Sequence, residues 1–315
     1  MGKIYNIYTY TFKEGDPRVI HYASSESISE SLFERSNVES VIIPDGIKHI
    51  GPRAFSSCKN LTSITIPNSV IEIDLSAFQA STNLPSKNNI IYADKFLVGV
   101  NDRSLTAYTI EEGTKWIGNR AFDNCYRGVD INIPDSVTSI GSEVFYLSSF
   151  KNLTIGKGLS SFSYGYDGSF KECSWETITV SNENPNYDSR NNCNAIIETS
   201  TNALIVGASN TVIPNTVTKI EYSAFYNNSK LTAITIPNSV TTLEGESFRY
   251  CSKLESVTIE STTPPTMRHT VYGTYETFGN NKADRKIYVP AESVDIYKSS
   301  EGWSKYADYI EPITA

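Results

Sequence analysis

The sequence predicts a β-rich solenoid, in which short strands recur on successive coils that stack along one axis. Two observations predict this fold. The string LTSITIPNSV, residues 61–70, returns at residues 231–240 with only Ser63 exchanged for Ala233. An Ile-Pro pair also recurs at a spacing of 23 residues, as from Ile43 to Ile66. Self-similarity at a fixed period is typical of repeat architectures, so we interpret the copied string as a structural unit.

One repeat unit follows the pattern LxxIxIPxxVxxIGxxAFxxCxx. In its first segment Ile64 and Ile66 alternate with Thr65, which places the apolar side chains on one face of a strand. Pro67 lacks an amide hydrogen and ends strand pairing, and the Asn-Ser that follows favours a turn. The remaining apolar residues supply a second inward segment and a corner at Phe78.

A single unit of this length cannot fold alone. It buries about six apolar side chains at roughly 1.5 to 3 kcal/mol each, against an ordering cost of about 1.5 kcal/mol per residue. Stacked coils share their apolar rows and pair strand to strand, so stability arises between neighbours. We therefore expect one stack of about ten coils, whose strands end at Ile43, Ile66, Ile110, Ile133, Ile155, Val180, Ile213, Ile236, Ile259 and Val289.

Two intervals are longer than the common spacing, at 44 residues from Ile66 to Ile110 and 33 residues from Val180 to Ile213. They contain NIIYADKFLVGV and AIIETSTNALIVGA. Each has two apolar runs separated by a short polar turn, which predicts a hairpin. The hairpins form either extra coils within the stack or protruding recognition elements.

Both ends of the solenoid, which we place at residues 38–290, are expected to be capped because an open end exposes unpaired backbone and apolar surface. In residues 1–37, IYNIYTYTF predicts a strand and SESISESLF a short helix with Ile28, Leu32 and Phe33 on one side. Residues 291–315 follow Pro290 and predict a helical lid, and the three segments form one continuous domain. The apolar residues of the lid are Val294, Tyr297, Trp303, Tyr306 and Ile310.

The repeat resembles the bacterial BspA-type leucine-rich repeat family in LTSITIPNSV, SVTSIG, RAFSSC, YSAF and SFRYC. NPNYDSRNNCNAIIETSTNALIVGASNTVIP and the closing VPAESVDIYKSSEGWSKYADYIEPI are similar to that family as well. The resemblance extends from about Val38 to Ile313. It implies a right-handed leucine-rich repeat superhelix in a bacterial protein that is secreted or attached to the cell surface, with a role in adhesion and protein binding.

The overall charge argues against two classes of partner. The formal net charge is -8 and the pI is about 5.1, whereas nucleic acids and anionic membranes reward clusters of Lys and Arg. No apolar run approaches the roughly 18 residues of a membrane span, and MGKIYNIYTYTF lacks the basic start and apolar core of a signal segment. We therefore expect no nucleic-acid partner and no membrane insertion, and we expect any signal or lipoprotein segment to have been removed.

No motif in the sequence carries catalysis. HExxH, GxSxG and GxxxxGK[ST] are absent, and the three histidines have no ligand or triad partner at a recognisable spacing. NDRS and NENPNYDSRNN are rich in oxygen ligands but lack the Gly and distal Glu of a calcium loop, so turns formed by Asn and Asp explain them. We expect a protein that is not an enzyme and needs neither cofactor nor metal.

Cys58, Cys125, Cys173 and Cys251 each lie three residues after a corner phenylalanine. Units that carry such a cysteine are never immediate neighbours, which separates the thiols by roughly 9 to 10 Å along the stack. A disulfide requires α-carbons closer than about 7 Å. We therefore expect a ladder of buried thiols, and Cys193, outside this register, as the more exposed one.

The outward-facing residues of the strands form the first candidate binding surface. Ten strands would make a neutral wall about 45 Å long at about 4.8 Å per strand, able to lie against an extended partner. Because threonine suits strands in general, an ordinary solvent-facing β surface is the alternative. The candidates are Thr65, Thr109, Asn132, Thr154, Thr179, Thr235, Thr258 and Tyr288, with Ile42 and Val212 completing the row. The flanking residues Glu39, Lys151, Glu176, Glu255 and Arg285 would add selectivity.

Loop tyrosines form the second candidate surface. Tyr164 and Tyr166 lie beside glycines in FSYGYDGSF, and Tyr272 and Tyr275 lie in HTVYGTYETF. Tyrosine brings contact area and a hydroxyl group at low entropy cost, although packing between coils is the alternative fate. We expect a non-catalytic binding protein whose partner is a protein of the host matrix or of another bacterial surface. Glycan or polysaccharide binding through these tyrosines, or a role as a structural spacer, is the alternative.

Overall fold

In a computed structural model of the protein, the described residues are 6–7, 9–12, 22–23, 26–163, 168–170, 172–269 and 276–314. For those before residue 26 and for Val129 the backbone alone is described. The chain is a β-solenoid of about 12 turns with a short C-terminal helix, which confirms the predicted fold class. Segments without the Ile-Pro pair, such as residues 27–36, contribute the turns beyond those expected.

The strands are short and evenly distributed along the chain. The first fourteen are β1 (Asn6–Ile7), β2 (Thr9–Phe12), β3 (Tyr22–Ala23), β4 (Ser27–Ile28), β5 (Val38–Ile42), β6 (His49–Ile50), β7 (Ser63–Thr65), β8 (Glu72–Ile73), β9 (Ser86–Lys87), β10 (Ile90–Ala93), β11 (Phe96–Val100), β12 (Ala107–Thr109), β13 (Trp116–Ile117) and β14 (Val129–Ile133). The remaining strands are β15 (Ser139–Ile140), β16 (Phe150–Ile155), β17 (Ser161–Phe162), β18 (Thr177–Val180), β19 (Tyr187–Asp188), β20 (Ala195–Glu198), β21 (Ala203–Gly207), β22 (Lys219–Ile220), β23 (Ala233–Ile236), β24 (Thr242–Leu243), β25 (Ser256–Ile259), β26 (Thr266–Met267), β27 (Lys286–Val289) and β28 (Ile310–Pro312). One α-helix, α1 (Val294–Ser299), and three 3-10 helices complete the elements: Arg190–Asn192, Ala291–Ser293 and Ser304–Tyr309.

Successive coils contribute strands to two series of sheets. The first series contains the sheets β2-β5-β7, β12-β14-β16-β18 and β23-β25-β27-β28. The second series contains the sheets β4-β6-β8, β9-β10-β11-β13-β15-β17 and β19-β20-β21-β22-β24-β26. The predicted continuous wall of ten strands is therefore wrong, because the first series is divided into three sheets.

The two hairpin units cause this division. β10 pairs with β11 and β20 pairs with β21, both antiparallel as predicted. β11 then pairs with β13, and β21 with β22, so both hairpins join the second series and leave the first without a strand. Every residue of β11 and β21 is buried, so the hairpins are extra coils and the protruding alternative is wrong. The strand predicted to end at Ile213 does not form, and Val212 N instead donates to Cys193 O at 3.1 Å.

The helix predicted in SESISESLF is wrong for its described residues 26–33. Ile28 lies in β4 opposite Ile50, and the Phe33 ring stacks on Phe55 with centroids 5.1 Å apart. The spacing of five residues from Ile28 to Phe33 equals that from Ile50 to Phe55, so this segment follows the second half of the repeat. The strand predicted in IYNIYTYTF is confirmed, and β2 covers the N-terminal edge of the first sheet by antiparallel pairing with β5.

Corner phenylalanines stack along the solenoid axis. The rings of Phe55 and Phe78 are 5.2 Å apart and within 5° of parallel. Stacked aromatic pairs of this kind contribute about 0.5 to 1.5 kcal/mol beyond the area they bury. Equivalent pairs are Phe122 with Phe145, Phe145 with Phe170, Phe225 with Phe248, and Phe248 with Phe278.

The position three residues after each corner phenylalanine carries a second ladder. Ser81 Oγ donates to Phe55 O at 2.6 Å, and the backbone N–H of Cys58 donates to Ser81 Oγ at 3.0 Å. Cys251 Sγ makes the same contact with Phe225 O at 3.0 Å, which explains why serine and cysteine alternate at this position. The ladder of buried, unpaired thiols is confirmed. The expectation for Cys193 is wrong, since it is 2% exposed and packs in the core beside β20.

The C-terminal lid covers the last coil as predicted. Trp303 Nε1 donates to Pro265 O at 2.7 Å, and Tyr297 Oη donates to Ser261 O at 2.8 Å, so both buried rings have their polar atoms satisfied. Tyr306 and Ile310 are buried as well, while Val294 is partly buried against the same core. β28 adds an unpredicted parallel strand beyond β27.

Candidate binding surface

The outward row of the sequence analysis lies on the exposed face of the first series of sheets. In the middle sheet Thr154 is paired with Asn132 on one side and with Thr179 on the other. In the last sheet Thr258 lies between Thr235 and Tyr288. Thr109 pairs with Asn132, and Thr65 pairs with Ile42 in the first sheet. The division of the series makes this row three aligned segments, and the role of its residues in binding stays a prediction.

A hydrogen-bonded ladder runs beside this row on the middle sheet. Asn152 Nδ2 donates to Asp130 Oδ1 at 2.8 Å, and Thr177 Oγ1 donates to Asn152 Oδ1. These three residues lie on β14, β16 and β18, so the bonds cross the strands and hold the side chains upright. The middle sheet therefore presents fixed hydroxyl, amide and carboxylate groups over four strands.

The residues that flank the row fall into two groups. Glu176 pairs with Lys230 at 2.6 Å and Glu255 pairs with Lys282 at 2.9 Å, which neutralises both carboxylates at the exposed margin. Arg285, predicted to add selectivity at the surface, is instead 5% exposed. Its guanidinium lies over the Tyr309 ring at 4.5 Å from the centroid, and burial lowers its pKa. Arg285 therefore belongs to the packing of the lid.

A first groove opens where the first hairpin unit interrupts the sheets. It has a volume of about 430 Å³ and is lined by residues 63–66, Pro85, Tyr92 and Asp94. Ile64 and Ile66 are partly buried here, whereas the corresponding Ile178 of the middle sheet is 2% exposed. An adjoining hollow of about 440 Å³ shares Pro85, Tyr92 and Asp94 and adds Lys87, Lys95 and Glu111.

A second groove lies at the second interruption, beside β23. Its volume is about 380 Å³, and residues 211–213 form one wall while β23 and β25 form the floor. Val212 is 73% exposed, and Pro237 lies at the end of β23. The core side chain Ile234 remains 4% exposed, so the floor offers small and polar outward residues in place of core surface.

The edge of β18 at the second interruption is covered by side chains. Ile178 N donates to Asn194 Oδ1 at 2.5 Å, and Asn194 Nδ2 donates to Glu176 O at 2.9 Å. Val180 N donates to Ser189 Oγ at 3.0 Å. An asparagine and a serine thus supply the bonds that a neighbouring strand would otherwise supply.

The surface contains no assembled catalytic machinery in the residues that the structure describes. No three His, Cys, Asp or Glu side chains of that part are grouped so that they share a metal ion. His49 lies 3.0 Å from Glu72 on the open surface. Burial raises the pKa of Cys125 and of Cys193 to about 11, so both thiols stay protonated at neutral pH. The described part also contains no helix with the length and apolar character needed to span a membrane.

The tyrosines of the second candidate surface, Tyr164, Tyr166, Tyr272 and Tyr275, lie outside the described residues, and glycan binding through them stays a prediction. Sequence reasoning missed both grooves, because each arises from a strand that the period predicts and the fold omits. LPSKNN, residues 84–89, held the signal for the first groove: it stands where the next LxxIxIP is due but lacks the two isoleucines.

Three comparisons with known proteins bear on this architecture. The BspA type Leucine rich repeat region, in 6 copies, matches residues 3–96, 81–197 and 195–283. A leucine rich cell surface protein from Faecalibacterium prausnitzii has a similar solved structure, with 21% identity, a TM-score of 0.50, and coverage of 97% of this chain and 86% of that chain. A leucine-rich repeat protein from Eubacterium ventriosum matches at 20% identity and a TM-score of 0.47, covering 87% of this chain and 74% of that chain. No curated protein matches the sequence.

The repeat, the two series of sheets and the stacked corner rings define a leucine-rich repeat solenoid. The chain belongs to the BspA-type leucine-rich repeat family, since the family matches span nearly its whole length. Solenoids of this family are generally non-catalytic, and the family together with its structural neighbours points to a protein-interaction or surface role.

Proposed function

We propose that the protein binds another protein outside a bacterial cell or at its surface, through the outward row of the first series of sheets, and without catalysis. The family and the cell-surface protein from Faecalibacterium prausnitzii support this location. The partner is a protein of the host matrix or of another bacterial surface.

The observation that carries the proposal is the geometry of the middle sheet. Its strands present Thr109, Asn132, Thr154 and Thr179 in register on one exposed face. Adjacent strands are about 4.8 Å apart, so hydrogen-bonding groups recur at a fixed spacing on a rigid scaffold. Preorganised polar groups reduce the ordering cost of association, which favours recognition of an extended partner surface.

The double variant Thr154→Lys/Thr179→Lys tests this proposal. Two long, charged side chains in the middle of the interface should weaken binding to host-matrix proteins and to fixed bacterial cells by at least about tenfold. Surface plasmon resonance and cell binding by flow cytometry provide the measurements. The matched control is Ser229→Lys/Ser252→Lys, which adds the same charge at two exposed turn positions.

Equal loss of binding in both double variants would show a charge effect in place of an interface. Wild-type protein that binds none of the surfaces at micromolar concentration would leave the structural spacer as the function.

A further inference from the structure

We propose that the first groove is a strand-addition site, in which an extended segment of a partner protein pairs with the open edge of β7. The inference deepens the proposed function and rests on it, because it names the kind of segment that is recognised. It is carried by a comparison between the two interruptions of the first series of sheets.

The open edge is set by the direction of the backbone groups in β7. Ile43 N donates to Thr65 O at 3.0 Å, so the backbone groups of Thr65 point towards β5. Alternate residues of a strand direct their N–H and C=O groups to opposite sides, so those of Ile64 and Ile66 point into the first groove. In the part of the chain that the structure describes, the amides of Ile64 and Ile66 have no hydrogen-bond partner.

The same positions are closed at the second interruption. Ile178 and Val180 correspond to Ile64 and Ile66 in the repeat, and Asn194 and Ser189 bond to their amides. Natural proteins cover or blunt exposed sheet edges because free edges recruit other strands. A chain that caps one edge and leaves its counterpart uncapped beside a groove has a place for a strand from outside.

The chain segment that would fill this place in a regular coil is diverted. Residues 84–89 should pair with β7 according to the period, but Ser86–Lys87 forms β9 and pairs with β10. Tyr92 then forms the far wall, and its hydroxyl is held in place by accepting the Glu111 N–H at 3.1 Å. The groove is therefore a vacant strand position between two fixed walls.

The lining defines the chemistry of the segment. The partly exposed side chains of Ile64 and Ile66, with Pro85, accept two branched aliphatic side chains spaced by two residues. Asp94 is exposed at the rim and has no ion pair among the described residues, so it favours a basic residue next to the aliphatic pair. A second copy of this chain does not fit, because its own strands are flanked by neighbouring coils and the groove is one strand wide.

The probe is the peptide KLTAITIPNSVK, the repeated string of residues 231–240 with a lysine at each end. Its isoleucines should continue the row of Ile64 and Ile66. In the register of β25 on β23, the amides of its Ala and its second Thr face β7, so a peptide N-methylated at those two residues is the matched control. Backbone N-methylation removes the hydrogen bonds and keeps every side chain.

Amide hydrogen exchange of the full chain measures the result by NMR. With about 1 mM probe we expect exchange at Ile64 and Ile66 to slow at least tenfold, and the N-methylated peptide to have no such effect. Asp94→Lys should weaken probe binding up to about fivefold, while Asp308→Lys, an exposed carboxylate of the lid, should leave it unchanged.

Unchanged exchange at Ile64 and Ile66, or equal protection by the N-methylated peptide, overturns the inference. Protection that depends on protein concentration without any probe also overturns it, because a second copy then covers the edge. Thr154→Lys/Thr179→Lys separates the two proposals, since it should remove partner binding and leave probe binding intact. Lost partner binding with intact probe binding therefore supports both, whereas intact partner binding rejects the outward row alone.

Discussion

At the scale of single residues, the repeat depends on side chains that replace backbone hydrogen bonds between coils. The ladder position after each corner phenylalanine accepts serine, cysteine or asparagine because each is small and carries a hydrogen-bonding atom. The pattern of cysteines was visible in the sequence, but the bond from each side chain to the preceding coil was not. Cys193 shows the limit of this reasoning, because its burial depends on the packing of β20 and not on the repeat register.

Ser81 provides a direct test of the ladder. Ser81→Ala leaves the buried carbonyl of Phe55 and the buried N–H of Cys58 without a partner, so we expect the free energy of unfolding to fall by about 1 to 3 kcal/mol. Ser81→Cys restores a donor of similar size and should lose less than half as much. Urea denaturation followed by circular dichroism measures both. Equal losses in the two variants would mean that the hydrogen bond contributes nothing.

Leu147 shows the backbone strain that each turn carries. It has a φ of 52° in the left-handed region and an exposed fraction of 46%. Asparagine tolerates this conformation better than leucine does, so Leu147→Asn should raise the unfolding free energy by about 0.5 to 1 kcal/mol. Thermal unfolding checks the prediction. Tyr126→Asn, at an exposed position without a positive φ, is the control and should not stabilise the protein.

At the scale of elements, the period of 23 residues predicted nearly every strand of the first series but not the way those strands pair. The alternation of Ile with Thr fixes the inward face of a strand, because burial acts residue by residue. Pairing depends on what the next coil supplies at the same height. Ile213 has the local pattern of a strand end and stays buried, yet its segment has no partner at strand distance because β20 and β21 join the other series.

The helix predicted near the N-terminus failed for a related reason. The spacing of Ile28, Leu32 and Phe33 fits one helical face, but it also fits the second half of the repeat. The stacking surface of the following coil decides in favour of the repeat, because Phe33 gains a ring contact with Phe55 that a helix would not provide. Tertiary context therefore overrode a weak local preference.

Asn194 tests how much a capped edge contributes. Asn194→Ala frees the buried amide of Ile178 and the carbonyl of Glu176, so we expect a loss of about 1 to 3 kcal/mol and faster amide exchange at Ile178. Asn210→Ala removes a neighbour of Asn194 and leaves the bonds to β18 in place, which makes it the control. Unchanged exchange at Ile178 in Asn194→Ala would contradict the capping role.

At the scale of the whole molecule, a solenoid transmits stability only between neighbouring coils. Each coil contacts the coil before and the coil after it, so a defect at one end need not reach the other. The described core divides in the same way, into clusters around Phe55, Phe145 and Phe248. The lid therefore protects the last coils more than it protects the middle sheet.

Trp303→Ala makes this difference measurable. The ring is 1% exposed and contacts Phe278 and Tyr297, so its removal should cost about 3 to 5 kcal/mol. Because coupling decays along the stack, hydrogen exchange should rise first in β25 and β27, while β14 and β16 keep their protection. Ile296→Ala, at a half-exposed position of α1, is the control and should leave both regions unchanged. A uniform loss of protection along the chain would instead show that the three clusters unfold as one unit.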